Sequence, residues 1–201
     1  MMDETINGFL DRLAQRQPTP GGGSVAALAG ALAACMARMA AAYSVGNKTE
    51  AAKAERVHTT MEELARADAL LRELVSADAA AYETMTATAA EKGRDSVAYA
   101  AAVRDAAGVP LQIAAMTGRV LEILNGFSSD CSKYLISDLG VAAVLADATV
   151  RAAGFSVRIN LSEIADRAVR DRMAAELEAI IDRASGSRRR IEDFVMRQIA
   201  G

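Results

Sequence analysis

Apolar residues recur every three or four positions along most of the chain, which is the spacing of amphipathic helices. This pattern predicts six helices, at about 6–13, 25–44, 50–88, 96–124, 137–154 and 161–199. No segment with the alternation of a strand is longer than about six residues. Residues 155–161 are predicted to be extended. The pattern therefore predicts an all-α protein with long helices, formed by one domain over residues 1–201.

Helix-breaking and capping residues set the predicted boundaries. Residues 17–24, Gln-Pro-Thr-Pro-Gly-Gly-Gly-Ser, separate the first two helices, because two prolines and three glycines are very poor helix formers. Pro110 falls inside the fourth helix and is expected to kink it. Gly154 is expected to end the fifth helix as a C′ glycine. Asn160 followed by Glu163 resembles a capping box that begins the last helix.

The third predicted helix is long relative to the chain. It would extend about 58 Å at about 1.5 Å per residue. A domain of this size has a radius of gyration of only about 16–17 Å. We therefore expect an elongated subunit that buries the overhanging part of the helix against a second copy, as a homodimer.

Composition and charge exclude several classes of protein. The chain has 201 residues, only 4% aromatic residues and no Trp, and its net charge is −3. A net negative charge argues against a nucleic-acid partner. The apolar stretch 25–45 consists mostly of alanine and contains Arg38, so we interpret it as a core helix and expect no membrane partner. The two cysteines form no CxxC pair and the chain begins with a polar segment, which favours a cytoplasmic protein.

The glycine turn is the first candidate for binding chemistry. Gly21, Gly22 and Gly23 lead directly into a predicted buried helix. Glycines let a ligand approach the backbone, and a helix start presents free N–H groups to an anion or a polar heterocycle. The turn has neither the Lys-Ser/Thr pair of a Walker A loop nor a preceding strand. The simpler interpretation, a tight turn with Ser24 as the helix cap, stays open.

Four other polar residues each allow a functional and a structural interpretation. Asp78 falls in an apolar stripe of the third helix, where burial would raise its pKa towards the range useful for proton transfer, but it could also pair with a buried Arg. The structural interpretation of Asp138 is a carboxylate in the first turn of a helix, and that of Asn160 is an N-cap. Lys48 could be an exposed loop residue, or its charge could face a carboxylate ligand. With one histidine in the chain, no multi-histidine metal site is expected.

Several segments, taken together, resemble the cyclodeaminase/cyclohydrolase family of folate enzymes. Residues 18–39, PTPGGGSVAALAGALAACMARM, look like the opening motif of that family. Further matches follow in the same order: Leu74–Tyr82 with Asp78, Val109-Pro110-Leu111, Ser137-Asp138-Leu-Gly-Val-Ala-Ala143, and Ile159-Asn160-Leu161. The resemblance covers essentially the whole chain.

The resemblance implies an all-α, up-and-down helical bundle that forms a homodimer. A tetrahydrofolate derivative, polyglutamylated in some cases, would lie in a cleft near the glycine turn. It implies that Asp78 is the catalytic proton shuttle and that Gly21, Gly22, Gly23 and Ser24 hold the folate. Lys48 and Asp138 would be further polar contacts. The chemistry it implies requires no metal and no cofactor beyond the folate itself.

Two reactions, and one non-catalytic role, remain as hypotheses. Hydrolysis of 5,10-methenyltetrahydrofolate is favoured, because the chain has no room for a formiminotransferase domain that would hand over a formimino substrate. The alternatives are a formiminotetrahydrofolate cyclodeaminase and a non-catalytic helical dimerisation or ligand-binding module. The sequence departs from the usual family pattern at Ser76, at Cys131-Ser132 and at Ser156, which leaves altered folate contacts or another substrate open.

Overall fold

The computed structural model describes residue 2 and residues 4–200. Within this part of the chain the regular structure is entirely helical, as predicted. The α-helices are α1 (Ile6–Leu13), α2 (Gly22–Ala42), α3 (Ala51–Lys92), α4 (Val97–Phe127), α5 (Ile136–Leu161) and α6 (Arg167–Ala200). Two 3₁₀ turns, Ser128–Asp130 and Lys133–Leu135, connect α4 to α5.

Helix α2 is a buried helix of the bundle and packs against α3, α4 and α5. All of its buried residues are Ala, Gly or Ser. Small side chains let the neighbouring backbones approach closely, which explains the alanine bias of the sequence. Among the described helices, α2 alone is long and apolar enough to cross a membrane, and half of its most apolar window is buried inside the bundle. The expectation of a core helix is confirmed.

The long third helix is also confirmed. Helix α3 has 42 residues, which corresponds to about 63 Å at about 1.5 Å per residue. It ends at Gly93, whose φ of 81° lies in the left-handed region that glycine tolerates. Helix α4 begins after Ser96, whose hydroxyl accepts a hydrogen bond from the backbone N–H of Tyr99. The predicted break between the third and fourth helices is therefore confirmed, although α3 continues four residues beyond its predicted end.

The predicted end of the fifth helix is wrong. Helix α5 passes through Gly154 and continues to Leu161, so residues 155–161 are helical and not extended. Gly154 is buried, and a Cβ there would lie 3.6 Å from side chains of α6. The glycine therefore serves the packing of α5 against α6, and this contact offsets a helix-propensity cost of about 1 kcal/mol.

The predicted capping box is wrong for the same reason. Asn160 lies inside α5, and α6 begins only at Arg167. The carboxylate of Asp166 accepts hydrogen bonds from the backbone N–H groups of Ala168 and Val169, which is the bonding of a helix cap.

Two further boundaries differ from the prediction. Helix α2 begins at Gly22 with Gly21 at its N-cap, so Ser24 lies in its first turn and is not the cap. Helix α4 extends to Phe127, three residues beyond the predicted end, and contains Pro110 in its interior as predicted. The start of α2 at Gly22 shows that tertiary packing overrides the low helix propensity of glycine.

The close packing around α2 leads to a testable difference between two glycines. A Cβ at Gly30 would lie 2.8 Å from Thr117 Oγ1 and 3.1 Å from Leu71 Cδ2, whereas one at Gly108 would meet nothing within 4 Å. We expect Gly30→Ala to lower the free energy of unfolding by about 1–3 kcal/mol through overpacking. Gly108→Ala, the matched control, should raise it by about 0.5–1 kcal/mol through helix propensity. Urea unfolding measures both, and a stabilised Gly30→Ala would contradict the tight packing of α2.

Candidate active site

A cavity of about 400 Å³ lies where four helices meet, which is within the usual range for small-molecule sites. It is bounded by the start of α2, the second half of α3, the start of α4 and the end of α5. Its lining residues are Pro18, Thr19, Gly21, Gly22, Gly23, Asp78, Tyr82, Met85, Arg94, Tyr99, Ala106, Ser156, Ile159, Asn160 and Glu163. The lining combines apolar surface with a few polar groups, as expected for the binding of a small molecule.

The carboxylate of Asp78 lies against the first turn of α2. Ser24 donates a hydrogen bond from its hydroxyl to Asp78 Oδ2 at 3.1 Å. A Cβ on Gly23 would overlap the carboxylate of Asp78. Glycine at position 23 is therefore what allows the acid of α3 to reach the N-terminal end of α2.

Asp78 is half-buried, and this environment changes its acidity. Burial raises the pKa of the Asp78 carboxyl above its ordinary value. Hydrogen bonds from the hydroxyl and the backbone of Ser24 act in the opposite direction and lower the pKa, but burial outweighs them. The result is a carboxyl group that gives up its proton less readily than an exposed aspartate, in contact with a cavity.

A second polar cluster lines the cavity near the start of α4. Glu163 Oε2 accepts a hydrogen bond from the Tyr99 hydroxyl at 3.0 Å and one from Arg94 Nη1 at 3.3 Å. The Arg94 guanidinium also lies 5.9 Å from the centre of the Tyr99 ring, within the range of cation–π attraction. Burial, followed by the neighbouring Glu163 carboxylate, raises the pKa of the Tyr99 hydroxyl, which therefore stays a hydrogen-bond donor.

Asn160 joins the end of α5 to the middle of α4. Its side-chain Nδ2 donates a hydrogen bond of 2.6 Å to the backbone carbonyl of Ala106. That carbonyl lies four residues before Pro110, which has no N–H to donate to it. The amide thus supplies a hydrogen bond that the helix itself cannot make.

The structure brings together only some of the residues predicted for the site. Gly21, Gly22, Gly23 and Asp78 all line the cavity, with Ser24 buried behind them and bonded to Asp78.

Lys48 and Asp138 do not line this cavity. Lys48 is exposed in the connection between α2 and α3. Asp138 lies in the first turn of α5, about 33 Å along the helix axis from Asn160 at about 1.5 Å per residue. Within one chain these two residues therefore lie at the other end of the bundle, and their predicted contact with a folate stays untested.

The four residues that depart from the family pattern, Ser76, Cys131, Ser132 and Ser156, lie in different parts of the bundle. Ser156 lines the cavity, and its Oγ would lie 3.7 Å from a Cβ on Gly22. Ser76 is exposed on α3 and does not line the cavity. Ser132 donates its backbone N–H to Ser44 Oγ at the other end of the bundle. Of these departures, Ser156 alone changes the lining of the Asp78 cavity.

Sequence reasoning missed several lining residues or gave them another role. Arg94 and Tyr99 were not singled out, because their contact with Glu163 joins the α3–α4 turn to the α5–α6 turn. Asn160 was interpreted as a helix cap. One signal was available, since a proline inside a helix leaves the carbonyl four residues earlier in need of another donor.

Metal ligation finds no support among the described residues. In residue 2 and residues 4–200, no group of three or more His, Cys, Asp or Glu side chains is arranged to hold a metal ion. The expectation of a reaction without a metal or cofactor stays a prediction.

Comparison with known proteins places the chain in a family. The profile described as formiminotransferase-cyclodeaminase matches residues 5–179. A methenyltetrahydrofolate cyclohydrolase of Methylorubrum extorquens is 28% identical, with 98% of each chain covered. The formimidoyltransferase-cyclodeaminase of Mus musculus is 29% identical over 92% of this chain, which spans 35% of that protein.

Solved structures agree with this result. The crystal structure of a formiminotetrahydrofolate cyclodeaminase from Thermotoga maritima superposes with a TM-score of 0.92, at 28% identity and with 98% of each chain covered. The match extends over the whole bundle, including the four helices that form the Asp78 cavity. The chain belongs to the formiminotransferase-cyclodeaminase family of folate one-carbon enzymes.

Proposed function

We propose that this protein hydrolyses 5,10-methenyltetrahydrofolate to 10-formyltetrahydrofolate. The observation that carries the proposal is the half-buried carboxyl of Asp78, which lies beside the glycine turn in a cavity of about 400 Å³. A relative named methenyltetrahydrofolate cyclohydrolase aligns over 98% of both chains, which supports this reaction.

The proposed reaction needs one group that first accepts and then donates a proton. Water attacks the methenyl carbon between N5 and N10, and Asp78 as carboxylate takes a proton from that water as the C–O bond forms. The tetrahedral intermediate then collapses to the formyl group as its C–N5 bond breaks, with protonation of N5 by Asp78 and release of the hydroxyl proton to solvent. A carboxyl whose pKa is raised by burial is suited to both steps.

The glycine turn has two roles in this proposal. Gly23 lets the Asp78 carboxylate approach α2, and Gly21 and Gly22 expose backbone to the cavity. Without side chains at these positions, a flat pterin ring reaches van der Waals contact with the main chain.

A formiminotetrahydrofolate cyclodeaminase is the second candidate. The structural neighbour from Thermotoga maritima carries that name. In this reaction N10 attacks the N5-formimino carbon, and the N10 proton passes to the formimino nitrogen. Ammonia then leaves from the tetrahedral carbon with a second proton supplied by Asp78, which gives 5,10-methenyltetrahydrofolate. Because both reactions use the same proton shuttle, Asp78 and Ser24 would serve either.

We infer that the chain forms a homodimer through an exposed apolar surface on α2 and α5. Two neighbouring stripes form this α2–α5 apolar face: Val25, Leu32, Met39 and Tyr43 on α2, and Val141, Val144, Phe155 and Ile159 on α5. The α2 residues recur at intervals of seven, seven and four, which is typical of helix–helix contacts. Large exposed apolar patches are rare on monomers.

The α2–α5 apolar face adjoins the cavity. Ile159 belongs to both, and Phe155, which is 73% exposed, lies one helical turn before it. A second subunit on this face would cover one side of the cavity and shield a bound folate from water. The polyglutamate tail of the folate and the cytoplasmic location of the protein remain predictions.

Replacing Asp78 with Asn tests the catalytic proposal. We expect the parent chain to abolish the near-ultraviolet absorbance of 5,10-methenyltetrahydrofolate, and Asp78→Asn to lower turnover by about 10²–10⁴-fold, because the proton shuttle is lost. A parallel assay with 5-formiminotetrahydrofolate, where the same absorbance would appear with ammonia release, identifies the cyclodeaminase. Equal turnover of variant and parent would contradict the catalytic role of Asp78, whereas a folded parent that is inactive in both assays would favour a non-catalytic helical module.

The free energy of unfolding of Asp78→Asn should depend on pH in a way that also shows the variant to be folded. The pKa of Asp78 is raised in the folded chain. The protonated Asp78 carboxyl therefore contributes fully to the free energy of unfolding below the ordinary pKa of 3.8, and this contribution is lost as pH rises through the folded-state pKa. Asp78→Asn should therefore be at least as stable as the parent at pH 7, with a smaller advantage at pH 4. Urea unfolding at the two pH values measures this difference.

Ser24→Ala tests the hydrogen bond that moderates the acidity of Asp78. Loss of the Ser24 hydroxyl removes a group that lowers the pKa of Asp78, so this pKa should rise further. If the carboxylate is the active form, the acid limb of kcat/KM should move to higher pH. Ser156→Ala removes another hydroxyl of the cavity, one that forms no hydrogen bond with Asp78 in the described part of the chain. The acid limb of kcat/KM for Ser156→Ala should therefore stay at the pH of the parent. An acid limb of Ser24→Ala that also stays at the pH of the parent would contradict the role of Ser24.

Charged substitutions test the proposed dimer. Leu32 is 55% exposed in the α2–α5 apolar face, and Met196 is 62% exposed on α6, outside this face. We expect sedimentation to give a dimer for the parent and for Met196→Glu, and a monomer for Leu32→Glu, because a buried unpaired carboxylate opposes association. A parent that sediments as a monomer at micromolar concentration would overturn the dimer, and a dimeric Leu32→Glu would exclude this face.

A further inference from the structure

The proline in α4 creates a requirement that reaches the cavity. Pro110 is buried in the helix interior and has no N–H, so it cannot donate to the carbonyl of Ala106. Ala106 is only 5% exposed. A carbonyl in such a position needs another donor, because an unpaired buried polar group is costly.

Asn160 supplies that donor, and this determines how its amide is oriented. Nδ2 lies 2.6 Å from the Ala106 oxygen. Only the nitrogen of an Asn amide can donate, so the Nδ2 end must face Ala106 and Oδ1 must be on the other side. Oδ1 accepts no hydrogen bond from any side chain or backbone group in the described part of the chain. Asn160 also lines the cavity, so its oxygen is available to a ligand.

Glu163, three residues after Asn160, adds a second acceptor. The backbone N–H of Glu163 donates to the carbonyl of Asn160 at 3.1 Å, which ties the two residues together at the end of α5. Glu163 Oε2 accepts hydrogen bonds from Tyr99 and Arg94. Glu163 Oε1 accepts no hydrogen bond from the described residues. This part of the lining therefore offers oxygen acceptors to a ligand.

We propose that Asn160 is a substrate-binding residue whose Oδ1 accepts a hydrogen bond from the N–H edge of the pterin, and that Pro110 positions it. This inference deepens the proposed function and rests on it. A pterin carries adjacent donors in its 2-amino group and N3–H. An amide held in one orientation accepts from such an edge and disfavours a heterocycle that presents acceptors there.

A purely structural role for Asn160 is the competing explanation, and Pro110→Ala separates the two. An alanine at position 110 restores the N–H that pairs with the Ala106 carbonyl. Asn160→Leu alone should lower the urea midpoint of unfolding, because it leaves that carbonyl without its side-chain donor. In the Pro110→Ala background the same substitution should lower the midpoint much less.

Ligand binding is then measured in the Pro110→Ala background, with 5-formyltetrahydrofolate as a stable probe in calorimetry and 5,10-methenyltetrahydrofolate as the substrate. Pro110→Ala by itself should bind the probe a few-fold more weakly than the parent, because the Ala106 carbonyl then has a second donor and holds the Asn160 amide less firmly. Pro110→Ala/Asn160→Leu should raise Kd and KM by about 10–100-fold over Pro110→Ala with little change in kcat, as for a lost hydrogen bond that leaves a donor unpaired. Pro110→Ala/Asn160→Asp keeps an acceptor oxygen and should bind within a few-fold of Pro110→Ala.

The outcomes distinguish this inference from the proposed function. If Pro110→Ala/Asn160→Leu binds the probe as tightly as Pro110→Ala, Asn160 is a structural donor only and the inference is wrong, while the proposed function stands. If the parent chain neither binds 5-formyltetrahydrofolate nor consumes 5,10-methenyltetrahydrofolate, the proposed function fails and the assignment of Asn160 fails with it.

Discussion

Helix α2 lies between α3, α4 and α5, and it fits there because its buried residues are all Ala, Gly or Ser. The distance between α2 and its neighbours determines what can be placed between them. At Gly30 even a methyl group would press on Thr117 and Leu71. At Gly23 the same close approach brings the Asp78 carboxylate into contact with the helix start. The packing of the bundle and the chemistry of its cavity thus depend on the same small residues.

The position of Asp78 combines two opposing effects. Burial makes the carboxylate less stable, and the hydroxyl and backbone of Ser24 make it more stable. Because burial prevails, the carboxyl keeps its proton to higher pH than an exposed aspartate does, which suits a group that both accepts and donates a proton. An aspartate facing open solvent would stay ionised, and one buried without Ser24 would stay protonated over a wider range of pH.

The cavity is also held by contacts between distant segments. Glu163 links the end of α5 to Tyr99 on α4, and Asn160 links it to the carbonyl freed by Pro110. Asn160, in the motif Ile159-Asn160-Leu161, thus bonds to the carbonyl that Pro110, in the motif Val109-Pro110-Leu111, leaves without a helical donor. This contact compensates for a proline in the interior of a long helix beside the cavity.

The spacing of apolar residues determined the helical class, the length of α3 and the position of Asp78 in an inward stripe, because these depend on local periodicity. The motifs of the sequence were enough to indicate the family. Tertiary structure decided the rest. Gly154 became part of a helix because α6 packs on it, and Asn160 became a partner of α4 instead of a cap. Lys48 follows the end of α2, and Asp138 lies at the start of α5. Both lie away from the Asp78 cavity, because the antiparallel helices place the start of α2 and the end of α5 at the opposite end of the bundle.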